Sequence, residues 1–196
     1  MVLLAWTPFP GSFLPKSIPI WALMLIVYGA VPGKRGKLLA FGLLLSSVGD
    51  VALTIHSPVG FMVGLGFFLL AHVVYAVNFL QKSGFVLARL PYYLAILAFS
   101  IAMAVWLAPN LGEMQIPVFA YLFVITCMAI SAGMSKETRP ILLLGAVIFM
   151  ASDSIIAVSK FVGEVWGAKY WVMLTYYVAQ GLIVWAFLPA DKRADR

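Results

Sequence analysis

The stretch Lys37–His56, KLLAFGLLLSSVGDVALTIH, places one carboxylate, Asp50, inside an otherwise apolar run. A run of about 20 such residues is long enough to cross a bilayer as a helix. A second stretch, Pro140–Phe161, PILLLGAVIFMASDSIIAVSKF, does the same around Asp153. A charged side chain at bilayer depth costs at least about 2.5–3.5 kcal/mol, so such residues are usually functional or paired. The other five acids, Glu113, Glu137, Glu164, Asp191 and Asp195, fall in predicted loops or in the tail.

Working outward from these two stretches, apolar runs of similar length recur along all 196 residues. With 64% hydrophobic residues, 10% charged and a mean hydropathy of +1.04, the chain lacks the polar surface a soluble domain needs. The short alternating segments of an outer-membrane barrel are also missing. The expected fold is all-α: one transmembrane helical domain over residues 1–196, a polytopic integral membrane bundle. Seven full spans are drawn at Ser17–Val31, Lys37–His56, Val59–Leu80, Val86–Leu107, Glu113–Gly133, Pro140–Phe161 and Lys169–Leu188. The apolar segment Met1–Leu14, broken by Pro8 and Pro10, leaves room for an eighth helix. It has no basic residue and so lacks the start of a signal peptide.

Charge sets the expected orientation. Ten of the thirteen Lys and Arg residues lie on one side: Lys34, Arg35, Lys37, Lys82, Arg89, Lys136, Arg139, Lys192, Arg193 and Arg196. Only Lys16, Lys160 and Lys169 lie on the other. The positive-inside rule then puts the C-terminus in the cytoplasm. A net charge of +6 spread over short loops does not point to nucleic acid, and a single cysteine, Cys127, says nothing about compartment. Asp50 and Asp153 fall on spans running in the same direction, each about 20 Å from the cytoplasmic face at 1.5 Å per residue. Two acids at one depth can share a cavity. Gly49-Asp50-Val51 and Ser152-Asp153-Ser154, each followed by a span with a mid-depth polar residue, hint at an internal duplication of two helical hairpins.

Helical periodicity gathers further polar groups at the same level. Ser46, Asp50 and Thr54 form one stripe; His72 and Tyr75 share a face; Ser152 adjoins Asp153, with Lys160 two turns on; Tyr176 or Tyr177 lines up with Gln180. Plainer readings exist for several of these. A lone histidine can simply bond a neighbouring helix, Ser46 and Thr54 can bond their own carbonyls, and Lys160 can snorkel to the surface. Gly60 and Gly64, spaced as GxxxG, read as a close helix approach. The two acids are harder to explain as structure. A buried carboxyl resists ionisation, and a nearby carboxylate makes it resist further. Such a pair can hold one proton, giving an acid and a base for hydrolysis without a metal. No cofactor is expected, because there is no nucleotide loop, GxSxG elbow or CxxC, and the His and Cys residues are too few for zinc.

In order along the chain, several anchors together resemble the YhhN-like family of polytopic membrane proteins. They are Ser47-Val48-Gly49-Asp50, Gly64-Leu65 through Phe68, Ala71-His72, Tyr75 to Phe79, Ser152-Asp153 to Ala157, Lys160-Phe161 and Thr175-Tyr176-Tyr177-Val178-Ala179-Gln180. The resemblance runs from about Lys16 to about Leu188. It implies a lysoplasmalogenase, which hydrolyses the vinyl ether bond of a lysoplasmalogen to a fatty aldehyde and a glycerophospho-base. On that reading Asp50, Asp153 and His72 are catalytic. Lys16, Tyr75, Ser152, Lys160, Tyr176, Tyr177 and Gln180 are the candidate substrate-binding residues, with Lys160 placed to hold the lipid phosphate. The partners are then a lysophospholipid and the bilayer, and the location a bacterial inner (cytoplasmic) membrane. Two other classes also use membrane acids. An intramembrane aspartyl protease needs a tyrosine–aspartate dipeptide that this sequence lacks. A proton-coupled transporter or lipid-binding protein is the stronger rival, since buried Asp and His are the parts of a proton relay.

Overall fold

A computed structural model describes residues 13–55, 57–136 and 140–189. Among them the chain is helical throughout, with no strand beyond one isolated bridge between Ser83 and Ser135. Seven helices follow in order: α1 Phe13–Ala30, α2 Gly33–Leu53, α3 Pro58–Leu80, α4 Leu90–Leu107, α5 Gln115–Met134, α6 Pro140–Phe161 and α7 Ala168–Phe187. Six are long and apolar enough to cross a membrane, and α1, apolar over Lys16–Ala30, is shorter. An all-helical bundle compatible with a membrane is therefore what the sequence folds into. The segment that left an eighth helix open lies mostly outside the described residues.

Local chemistry sets several helix ends. Ser57 precedes Pro58 in extended conformation, and its Oγ accepts a hydrogen bond from the Gly60 amide at 2.9 Å. This is an N-cap followed by a proline that has no amide to lose. Helix α2 begins right after Pro32, four residues ahead of the expected Lys37, so the basic Lys34, Arg35 and Lys37 sit on its first turns.

The helices pack as a ring in the order α1, α2, α3, α5, α6, α7, closed by contacts between α7 and α1; α4 lies outside it against α5 and α6. The polarity of the bundle is inverted relative to a soluble protein. Outward faces carry exposed Leu25, Val105 and Phe123, whereas His72, Asn78, Ser46, Ser152 and Gln180 are fully buried. Lipid cannot solvate polar groups, so they must find partners inside the ring. Glycines allow the close approach of α2 and α3. A Cβ at Gly42 would lie 2.2 Å from the Tyr75 ring, and one at Gly64 would lie 2.7 Å from Leu53 and 3.3 Å from the Gly49 carbonyl. The Gly60/Gly64 spacing accordingly falls at a tight helix contact.

Candidate functional site

Asp50 on α2 and Asp153 on α6 line one cavity of about 540 Å³ inside the ring. It is walled by Leu53, Phe61 and Phe68 on one side and by Val172, Met173, Tyr176 and Tyr177 of α7 on the other. The three lysines that sequence reading assigned to the less basic side, Lys16, Lys160 and Lys169, all border it. Lys160 and Lys169 are exposed, so the cavity has a cationic mouth and two acids within.

Each carboxylate receives one tyrosine hydroxyl. Tyr176 donates to Asp50 Oδ2 at 2.9 Å, and Tyr121 donates to Asp153 Oδ2. Asp153 also faces His72, whose Nε2 lies 3.9 Å from the same oxygen, beyond hydrogen-bond distance. His72 is fully buried, its ring edge-on to Tyr121 and Phe149 at centroid separations of 5.4 and 4.7 Å. Neither of its nitrogens makes a hydrogen bond to the described residues. A hydroxyl bond is worth roughly 0.5–1.5 kcal/mol to a neutral carboxyl and roughly 1.5–3 kcal/mol to an ionised one. Both hydroxyls meet Oδ2 of their aspartate.

The other candidate residues divide into those on the cavity and those behind it. Ser152, Lys160, Tyr176, Tyr177 and Lys16 border it. The Tyr177 hydroxyl donates to the Lys16 backbone carbonyl at 2.9 Å, tying α7 to α1, and Ser152 Oγ donates to the Val172 carbonyl at 3.1 Å, tying α6 to α7. Lys160 holds its ammonium 5.2 Å from the Phe61 ring centroid. Tyr75 and Gln180 instead pair with each other, the Tyr75 hydroxyl donating to Gln180 Oε1 at 2.9 Å, fully buried and off the cavity wall. Thr54 returns its hydroxyl to the Val51 carbonyl at 2.6 Å, the plainer of its two readings.

Tyr121 and Ser159 enter the site without having been singled out in the sequence, and Lys169 was marked there only by its side of the membrane. Tyr121 is the seventh residue of Gln115–Met134, where a tyrosine suits either an interfacial anchor or an inward hydroxyl, so its position alone did not mark it. No group of three or more His, Cys, Asp or Glu side chains among the described residues is placed to hold a metal ion.

These features define an all-helical bundle, compatible with a membrane, whose helices line a two-acid cavity. The chain belongs to the YhhN family, whose model matches residues 11–187. It is 31% identical over 163 residues to a protein named lysoplasmalogenase from Mycobacterium bovis, covering 79% of this chain and 62% of that one. It is 33% identical over 183 residues to lysoplasmalogenase TMEM86B of Rattus norvegicus, covering 88% of this chain and 71% of the other. The Mus musculus protein of the same name is 31% identical over 197 residues, with 92% and 79% covered. The chain thus spans just under two thirds of the mycobacterial relative's length. No solved structure matches it.

Proposed function

We propose that this protein is a membrane-embedded hydrolase that cleaves the vinyl ether bond of lysoplasmalogens, using Asp50 and Asp153 as the acid–base pair. The observation carrying this reading is the single cavity that holds both acids, each with its own tyrosine, behind a mouth of lysines. Vinyl ether hydrolysis begins with proton transfer to the outer vinyl carbon, leaving an oxocarbenium ion. Water adds to that ion, giving up a proton, and the hemiacetal collapses to aldehyde and the glycerol hydroxyl. A protonated carboxyl supplies the first proton; an ionised carboxylate stabilises the cation and takes the proton from water. The lysines suit the lipid phosphate: Lys160 lies two turns beyond Asp153, about 10 Å along the helix axis. The family relatives' printed names support the same activity.

The protein is taken to sit with seven spans and its C-terminus on the cytoplasmic side, in accord with the distribution of Lys and Arg. The deciding experiment offers the purified protein a lysoplasmalogen, its saturated alkyl ether analogue and an ordinary lysolipid. Aldehyde should appear from the first alone, and aldehyde from none of them rejects the reading. A proton-coupled transporter is the second reading, favoured by His72 beside Asp153. It predicts solute movement in proteoliposomes with no lipid turnover.

A further inference from the structure

A second, smaller space adjoins the cavity on the α5 side and shares Leu53, Phe61, Phe68, Asp153 and Ile156 with it. It measures about 50 Å³ and is lined by α3, α5 and α6, with Leu53 of α2. Apart from the Tyr121 hydroxyl and Asp153, its walls are apolar, with Leu65, Val118, Ala157 and Phe161 lining the part that the larger cavity does not share. Asp153 borders both spaces, whereas Asp50 borders only the one with the lysines. The Phe61 and Phe161 rings, both in its wall, meet edge-on at 5.8 Å.

Resting on the lysoplasmalogenase reading, we infer that this cleft receives the first carbons of the alkenyl chain, which puts Asp153 at the vinyl carbon and Asp50 on the glycerol and water side. The substrate is itself divided at that point. Its phosphate and glycerol need the polar cavity and its chain needs apolar walls, and the vinyl ether is the bond that joins the two. A bond spanning two chambers has to lie where they meet, and the acid at that junction is Asp153. At about 50 Å³ the cleft is too small for a headgroup, and no described Lys or Arg lines it to meet a phosphate, so the reverse placement fails on both size and charge. Asp153 then delivers its proton to the outer vinyl carbon, and the C=C electron pair forms the new C–H bond. Asp50, held by Tyr176 in the lysine-lined chamber, faces the resulting cation and takes a proton from the attacking water.

Two measurements test this. The first compares kcat/KM for a hexadecenyl substrate with that for an ethenyl ether, which has no chain to place in the cleft. Filling the cleft with Ala157→Phe should lower the hexadecenyl-to-ethenyl ratio at least about tenfold, the range in which pocket fit discriminates. Equal losses on both substrates overturn the cleft assignment. If Ala157→Phe does not fold, Val118→Ala widens the same cleft. It should then raise the relative rate on a chain methylated next to the vinyl group, and an unchanged preference overturns the proposal. The second measurement adds azide, an anion able to capture the oxocarbenium ion, to the two acid variants. Vinyl ether consumption should recover in Asp50→Asn and not in Asp153→Asn. Recovery in Asp153→Asn, or in neither variant, overturns the division of roles. Wild-type protein that releases no aldehyde from either alkenyl substrate rejects the activity itself, an outcome distinct from an active enzyme indifferent to the cleft.

Discussion

The hairpin α2–α3 and the hairpin α6–α7 follow the same layout with different packing chemistry. Each first helix carries a glycine two turns before its aspartate, Gly42 before Asp50 and Gly145 before Asp153. In each, the residue just before the acid meets the second helix of the hairpin. A Cβ at Gly49 would sit 2.7 Å from the Phe68 ring, and Ser152 bonds the Val172 carbonyl. The difference lies in what closes each pair. Gly42 is covered by the Tyr75 ring, itself pinned by Gln180, while Gly145 rests on the Ala179 carbonyl and aliphatic side chains at 3.1 Å. Neither hairpin serves its own acid. Asp50 is held from α7, and Asp153 from α5 with α3 close by. The lesson is that each acid is met by a hydroxyl from outside its own hairpin, while the Tyr75–Gln180 bond ties the packing of the two hairpins together.

The strongest way to break this comparison is through the acids. Asp50→Asn and Asp153→Asn should each lower aldehyde release by about 10²–10⁴-fold, the usual contribution of a positioned acid or base. A variant with near-normal turnover removes its hairpin from the chemistry. Next come the two hydroxyls that reach the acids from outside their own hairpins. Tyr121→Phe and Tyr176→Phe each delete one hydrogen bond to an acid, worth about 0.5–3 kcal/mol across its neutral and ionised forms, and should lower kcat by about two- to a hundredfold. Their melting temperatures in detergent should stay close to wild type; a drop in stability that matches the loss of rate would make the tyrosines structural only.

The glycines sharpen the packing half of the comparison. Gly42→Ala must displace a pinned aromatic ring and should cost about 1–3 kcal/mol, the range for overpacking a tight contact. Gly145→Ala needs its neighbours to give by only a few tenths of an ångström and should cost less. Thermal unfolding of the two variants side by side checks the order, and equal losses would make the hairpins alike after all. The smallest effect belongs to Ser152→Ala, which deletes one hydroxyl bond to a carbonyl, at about 0.5–1.5 kcal/mol. It should lower stability more than kcat.

Much of this arrangement was legible in the sequence because the bilayer simplifies the problem. Runs of apolar residues located six helices to within a few residues, and α6 to its ends at Pro140 and Phe161. Asp50 and Asp153 stood out because nothing else acidic lies inside a span, and counting residues from the basic loops put both at one depth. What the sequence did not give up is which side chains meet across helices. Tyr75 and Gln180 are marked by polarity at mid-span, but periodicity cannot tell a buried mutual pair from two cavity-facing groups. Tyr121 carries the same ambiguity, since a tyrosine suits both a membrane interface and a buried hydroxyl donor. Lys169 reads only as the first residue of a span until the fold brings it to the same cavity as Lys16.

The hydrogen bond from Tyr176 to Asp50 also has a meaning in time. The two residues are 126 apart in the chain. At a synthesis rate of roughly 5–20 residues per second, Asp50 waits on the order of ten seconds before its partner exists. During that interval α2 holds an acid with no hydroxyl to meet it, close to a bilayer that penalises charge. That half of the candidate site is therefore completed only when α7, the last of the seven helices, arrives, after the other helices that wall the cavity have been made.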